Sequence, residues 1–151
     1  MEIRRTAGDD ADFLAVIQRL TAVLSELNGE QDGFYQQFNK VDPTATVVVG
    51  YHEGKPVASG AFRPMDERKV EVKRMFVDPD LRGKGFAKAI LKELETWARE
   101  EGYKQAVLET SKRLVPAVTL YQSQGYQQTP NYPPYEDVED SVCFAKSLDQ
   151  A

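Results

Sequence analysis

Cysteine and histidine are almost absent from this chain, with one of each, Cys143 and His52, in 151 residues. A single thiol excludes an internal disulfide, and one imidazole beside one thiol cannot supply the ligands a zinc site uses, so no metal is expected. Positive charge is not in excess either. Lys and Arg total 19 against 24 Asp and Glu, a formal charge of −5, whereas nonspecific nucleic-acid affinity is built from cations that neutralise phosphates. Nucleic acid is therefore not an expected partner, and any anion site has to be local. Long apolar runs are missing as well. No stretch reaches the ~20 residues of a spanning helix, and the start of the chain carries Glu2, Arg4, Arg5, Asp9, Asp10 and Asp12 rather than a secretory apolar segment. The expectation is a cytoplasmic protein with no membrane partner.

What is present is a globular composition, 41% hydrophobic and 28% charged, at a length that suits one domain over residues 1–151 with a sizeable core. Residues 1–6 suit a first strand. After Gly8-Asp9-Asp10, Phe13, Val16 or Ile17, Leu20, Leu24 and Leu27 recur at helical spacing up to Asn28-Gly29. A second helical stretch is expected over Glu30–Phe38, before Asp42-Pro43. Thr44–Tyr51 and Pro56–Phe62 then read as a hairpin around His52-Glu53-Gly54-Lys55. Val70–Val77 is a strand stopped by Asp78-Pro79-Asp80. In the helix that follows, Phe86, Ile90, Leu91, Leu94, Trp97 and Ala98 form the apolar stripe, with Lys88, Lys92, Glu93, Glu95 and Glu100 assigned to the polar side. Gln105–Thr110 reads as a strand covered on both faces, and Pro116 opens a short helix capped by Gly125. Tyr126–Gln128 and Ser141–Leu148 read as strands, separated by Thr129–Asp140, a loop rich in Pro, Tyr and acid.

The informative stretch is Arg82-Gly83-Lys84-Gly85-Phe86-Ala87, between a strand and a helix. A glycine turn that opens a helix leaves the first amides unsatisfied at the positive end of the dipole, where phosphate is a natural partner. Arg82, Lys84 and Lys88 add local positive charge. The spacing fits neither GxxxxGK[ST] nor GxGxxG. It resembles the acyl-CoA motif of the GNAT superfamily of N-acetyltransferases, Arg/Gln-x-x-Gly-x-Gly/Ala, through Arg82, Gly85 and Ala87, preceded by Met75-Phe76-Val77-Asp78-Pro79. A second element agrees: Leu120-Tyr121-Gln122-Ser123-Gln124-Gly125-Tyr126 resembles the family's Leu-Tyr-x-x-x-Gly-Phe/Tyr helix end.

The resemblance implies an α/β fold of the α+β kind: a mixed, mostly antiparallel sheet of about six to seven strands, flanked by about four helices. Two parallel strands, Val70–Val77 and Gln105–Thr110, would splay apart to admit the cosubstrate acetyl-CoA. Its pyrophosphate would rest on the amides of Arg82, Gly83, Lys84, Gly85, Phe86 and Ala87, and its pantetheine arm would pair with the backbone of Met75, Phe76 and Val77. The implied reaction is direct transfer of acetyl to a primary amine in a ternary complex. A small molecule is preferred to a protein as acceptor, and a homodimer is compatible with the fold. A non-catalytic acyl-CoA sensor is the alternative, since it would need the turn but no acid or base.

An alkyl ammonium near pKa ~10 has to lose a proton before it attacks a thioester. Glu71 falls where some family members carry a general-base glutamate, and it shares a strand face with Lys73, so an ion pair with Lys73 is the competing role. Glu109 is the rival base or a contact for the ammonium, against a plain strand-end charge. The family uses the tyrosine at Tyr121 to protonate the departing sulfur; the competing role is a core tyrosine. Tyr132 and Tyr135 could line an acceptor pocket, with Glu136, Asp137, Glu139 and Asp140 attracting an amine, or be packed within a solvated acidic loop. Cys143 reads as a small buried residue and Trp97 as core.

Overall fold

The computed structural model describes residues 1–28 and 42–149. Its elements run β1 (Glu2–Ala7), α1 (Ala11–Asn28), β2 (Thr46–His52), β3 (Lys55–Pro64), β4 (Lys69–Val77), a 3-10 turn (Pro79–Leu81), α2 (Phe86–Glu100), β5 (Gln105–Ser111), α3 (Val115–Ser123), β6 (Gln127–Thr129) and β7 (Ser141–Ser147). The strands order as β1-β2-β3-β4-β5-β7-β6, with β4 and β5 the parallel pair. The seven strands meet the upper end of the expectation. Three α-helices occur among the described residues, where about four were expected; the stretch Glu30–Phe38 lies outside them. Among the described residues no helix is long and apolar enough to cross a membrane.

The chain groups into two compact units, the first comprising Met1–Ala61 and Arg74–Ile90 and the second Phe62–Lys73 and Leu91–Ala151. In the first unit Asp10 ends the opening turn and caps α1, its Oδ2 accepting from the Phe13 amide at 3.0 Å. Helical spacing then carries Phe13, Val16, Ile17 and Leu20 into one core with Val47, Val49, Tyr51, Ala61 and Phe76. The alternate residues of β2 face the other way. There Gly50 is required by close approach: a Cβ would stand 3.3 Å from Ala58 Cβ and from Ile90 Cδ1 and 3.4 Å from Phe86 Cδ1, so its absence lets the first turns of α2 lie on β2. Glu53 and Gly54 take φ of 52° and 79°, the two-residue loop whose twist suits the hairpin. In β4, Arg74 has φ 61°, and its carbonyl accepts from the buried Ser59 hydroxyl at 2.8 Å.

In the second unit the parallel ladder covers Lys69↔Gln105 to Val72↔Leu108, short of the C-terminal ends of both strands. The antiparallel ladder of β5 and β7 covers Gln105↔Ser147 to Ser111↔Ser141. Period two puts Glu71, Val107, Glu109, Cys143 and Ala145 on one face, and Val72, Leu108, Val142 and Phe144 on the opposite one. Two sequence expectations are corrected here. Glu95 is not on the polar side of α2: it is 4% exposed, accepting from Lys146 Nζ and Tyr126 Oη, each at 2.9 Å. Trp97 is half-buried rather than fully core, edge-on to Phe62 with centroids 5.8 Å apart.

Candidate active site

The sequence Asp78-Pro79-Asp80 cannot continue β4, and the structure fixes the turn from three sides. The Asp78 amide donates to the Val57 carbonyl at 2.8 Å. Its carboxylate pairs with Arg19 of α1, Nε to Oδ1 at 3.1 Å, and Arg19 also donates to the Pro56 carbonyl at 2.8 Å. Arg82 is held by Nε donating to the Val77 carbonyl at 3.2 Å, with its guanidinium 5.9 Å from the Phe76 ring centroid. Gly83 and Gly85 follow with φ of 80° and 88°, which L side chains adopt only under strain. A Cβ at either would meet no atom within 4 Å, so the backbone conformation, not packing, calls for glycine. The bond from the Ala89 amide to the Gly85 carbonyl, at 3.0 Å, opens the helical ladder. The amides of Phe86, Ala87 and Lys88 precede it and are not used by the helix. Gly83, Lys84 and Gly85 likewise donate to no backbone carbonyl among the described residues. Lys84 and Lys88 are exposed. The turn is thus a run of free amides among three cations, with room for an anion at both glycines. Of the remaining residues expected at the cosubstrate, Phe76 and Val77 are buried and Met75 is half-buried in the same unit.

In the second unit the two candidate carboxylates share a sheet face but not an environment. Glu71 is 1% exposed. Its Oε1 accepts from Arg63 Nε at 2.7 Å and pairs with Lys73 Nζ at 3.7 Å, while Oε2 accepts from Tyr132 Oη at 2.6 Å. The ion pair with Lys73 is therefore present, reinforced by an arginine and a phenol. Glu109 is less occupied. Its Oε2 accepts from Ser141 Oγ at 2.5 Å, and Oε1 has no partner among the described residues. Burial is the main force on its proton, pushing its pKa up to about 7; Ser141 and Lys73 oppose this, and Glu71 and Asp140 reinforce it.

Loop 130–140 covers this face through named tethers. Tyr132 reaches Glu71, and Asn131 Nδ2 donates to the carbonyls of Tyr135 and Ser141, both at 3.1 Å. Asp140, read from sequence as part of a solvated acidic run, instead accepts from Ser111 Oγ at 2.5 Å and Arg113 Nε at 3.2 Å. Glu136, Asp137 and Glu139 are exposed. Tyr135 is buried, edge-on to Tyr132 at 5.8 Å. Tyr121 is buried too, its ring 5.9 Å from that of Tyr126 and 6.4 Å from that of Phe144. Burial and the charge of Glu109 raise its pKa, so the phenol holds its proton. Cys143 is fully buried and pushed up to about 11, as a packing residue and not a nucleophile. Sequence alone did not single out Arg63 or Ser141; each acts through a partner on another strand.

The first unit thus holds a cradle of amides with a basic rim, and the second a carboxylate whose pKa burial pushes up to about 7. The model of the Acetyltransferase (GNAT) family matches residues 14–126, and the chain belongs to that family. N-acetyltransferase 8B of Rattus norvegicus is 38% identical over 110 residues, 73% of this chain and 46% of that protein. N-acetyltransferase 8 of Homo sapiens is 34% identical over 82 residues, 54% of this chain and 35% of that protein. The chain spans less than half the length of these curated relatives. Among solved structures, a Klebsiella pneumoniae protein assigned to the acyl-CoA N-acyltransferases superposes with a TM-score of 0.79 at 28% identity, covering 97% of each chain. A GNAT family acetyltransferase from Elizabethkingia anophelis, solved with acetyl-CoA bound, superposes with a TM-score of 0.70 at 15% identity, again over 97% of each, and shares the fold.

Proposed function

We propose that the chain transfers the acetyl group of acetyl-CoA directly to a primary amine of a small molecule. What carries the reading is the run of unused amides from Gly83 to Lys88 at the start of α2, in a chain whose family moves acyl groups from coenzyme A. The coenzyme's pyrophosphate rests on these amides, with Arg82, Lys84 and Lys88 meeting its charge. Glu109 is the general base. Its Oε1 is open and its proton affinity lies near neutral pH, whereas both oxygens of Glu71 are already paired. The freed amine nitrogen attacks the thioester carbonyl, the carbon–nitrogen bond forms, and the carbon–sulfur bond breaks. Tyr121 gives its proton to the departing thiolate and recovers one from the nitrogen, which sheds its second proton as the amide forms, while Glu109 retains the first one taken from the ammonium. Tyr132, held by Glu71 and backed by Tyr135, is the loop tyrosine assigned to the acceptor.

Thiol release from acetyl-CoA across a panel of amines tests the reaction; coenzyme binding without turnover on any of them would favour a sensor. Gly85→Val is expected to weaken coenzyme A at least tenfold by calorimetry, because a branched side chain enters the anion's space and resists φ of 88°. Unchanged affinity in the folded variant would remove the turn from the site. Tyr121→Phe should reduce kcat about 10- to 100-fold, the low end for a positioned acid since a thiolate leaves readily, with acetyl-CoA affinity retained. A lower Tm with intact kcat would make Tyr121 a core residue only.

A further inference from the structure

We propose that Ser141 is a positioning residue for Glu109: its hydroxyl fixes Oε2, so that Oε1 is presented to the acceptor amine as the proton-accepting oxygen. This rests on the reading of Glu109 as the base. In the β5–β7 ladder Glu109 stands opposite Cys143 and Ser141 opposite Ser111, so the 2.5 Å bond runs diagonally across one sheet face. Ser141 is itself 1% exposed and held along its backbone. Its amide donates to the Val138 carbonyl at 3.0 Å and its carbonyl accepts from Asn131 Nδ2 at 3.1 Å. A serine so confined aims its hydroxyl at Glu109, and a carboxylate held at one oxygen loses the rotation that would blur the aim of the other.

Among the described residues, the neighbouring groups leave Ser141 the one side-chain hydrogen-bond donor to Glu109. From β4 come Glu71 and Lys73, from β7 Cys143, from the covering loop Asp140 and Tyr135, and from α3 Tyr121. Cys143, Tyr121 and Tyr135 are all driven upward by burial and stay neutral through the physiological range. Asp140 is turned to Ser111 and Arg113, and Glu71 to Arg63, Lys73 and Tyr132. An O–H donated to the ionised carboxylate favours that form, so loss of the hydroxyl makes Glu109 bind its proton more tightly.

The experiment compares Ser141→Ala and Ser141→Thr with the parent in two measurements. One is the pH profile of kcat/KM for the acceptor; the other is a carbon NMR titration of the Glu109 carboxyl, assigned through Glu109→Gln and independent of activity. In Ser141→Ala the carboxyl midpoint and the acidic limb of the profile should both move up by roughly half to one pH unit. That corresponds to about a 2- to 6-fold loss near pH 7, which disappears above pH 9. Ser141→Thr, which keeps a hydroxyl, should restore both. An NMR midpoint that does not move in folded Ser141→Ala overturns the proposal, and so does a loss of activity equal at every pH. If Glu109→Gln retains full activity, the assignment of the base fails instead, whatever Ser141 does to the titration.

Discussion

Glu109→Gln is expected to lower kcat/KM by about 10²–10³ near neutral pH, with the deficit shrinking as the pH rises and the free amine becomes abundant. Glutamine matches the shape and keeps an oxygen for Ser141, so the variant removes the proton-accepting function and little else. Stability should change in the opposite direction to activity. A carboxyl whose folded pKa is raised to about 7 from 4.5 binds more protons folded than unfolded between those values, so its contribution to stability falls as pH rises through that window and levels off above it. At pH 8 the ionised, half-buried carboxylate is a cost, and glutamine should stabilise the fold by roughly 1–3 kcal/mol. Thermal denaturation at pH 4.5 and pH 8 reads this as a slope present in the parent and absent in the variant. A pH–rate profile parallel to the parent's, merely scaled, would refute the role of base.

Glu71→Gln should do the reverse. This side chain holds Arg63, Lys73 and Tyr132 together at 2% exposure, and glutamine removes the buried negative charge with which both cations pair. Loss of one member of a buried pair costs about 3–5 kcal/mol; Arg63, with its side chain 52% exposed, can turn to water, so roughly 2–3 kcal/mol is expected. In a chain of this length that is a fall in Tm of about 5–10 °C. Acceptor KM should rise as well, because Tyr132 loses its anchor. Unaltered stability in Glu71→Gln would mean that these contacts are not maintained in solution. The two glutamates, two residues apart in register on one sheet face, are therefore separable by the sign of their effect on stability.

The elements were legible because their signals are local. The stripe of α2, the glycine turn and the two-residue hairpin each announce themselves within a few residues, and two family motifs lie at the start of α2 and the end of α3. What stayed hidden depends on partners far along the chain. Glu95 sits among charged residues in sequence, and nothing within its helix reveals Lys146, 51 residues away, as its counter-ion. Glu71 and Glu109 both read as strand glutamates; which is neutralised and which is open is decided by Arg63 on a neighbouring strand and Ser141 at the start of β7. Asp140 looked solvated because the residues around it are acidic, yet Ser111 and Arg113 claim it across the sheet. Periodicity reports the face on which a residue lies and is silent about what else arrives there.

The buried meeting of Glu95, Lys146 and Tyr126 also fixes how β7 can be threaded. Along this strand Val142, Phe144 and their neighbours offer apolar surface that would pack acceptably in more than one alignment. Sliding the strand by a single residue turns every side chain over. Lys146 would then be carried away from α2, leaving Glu95 enclosed without its cation and Tyr126 as its remaining donor, and unpaired burial of that kind outweighs any gain from rearranged hydrocarbon. The lysine so makes misaligned copies of the strand unstable in their own right, and the chemistry assigned to Glu109 depends on that alignment, since Ser141 stands at the first position of the same strand.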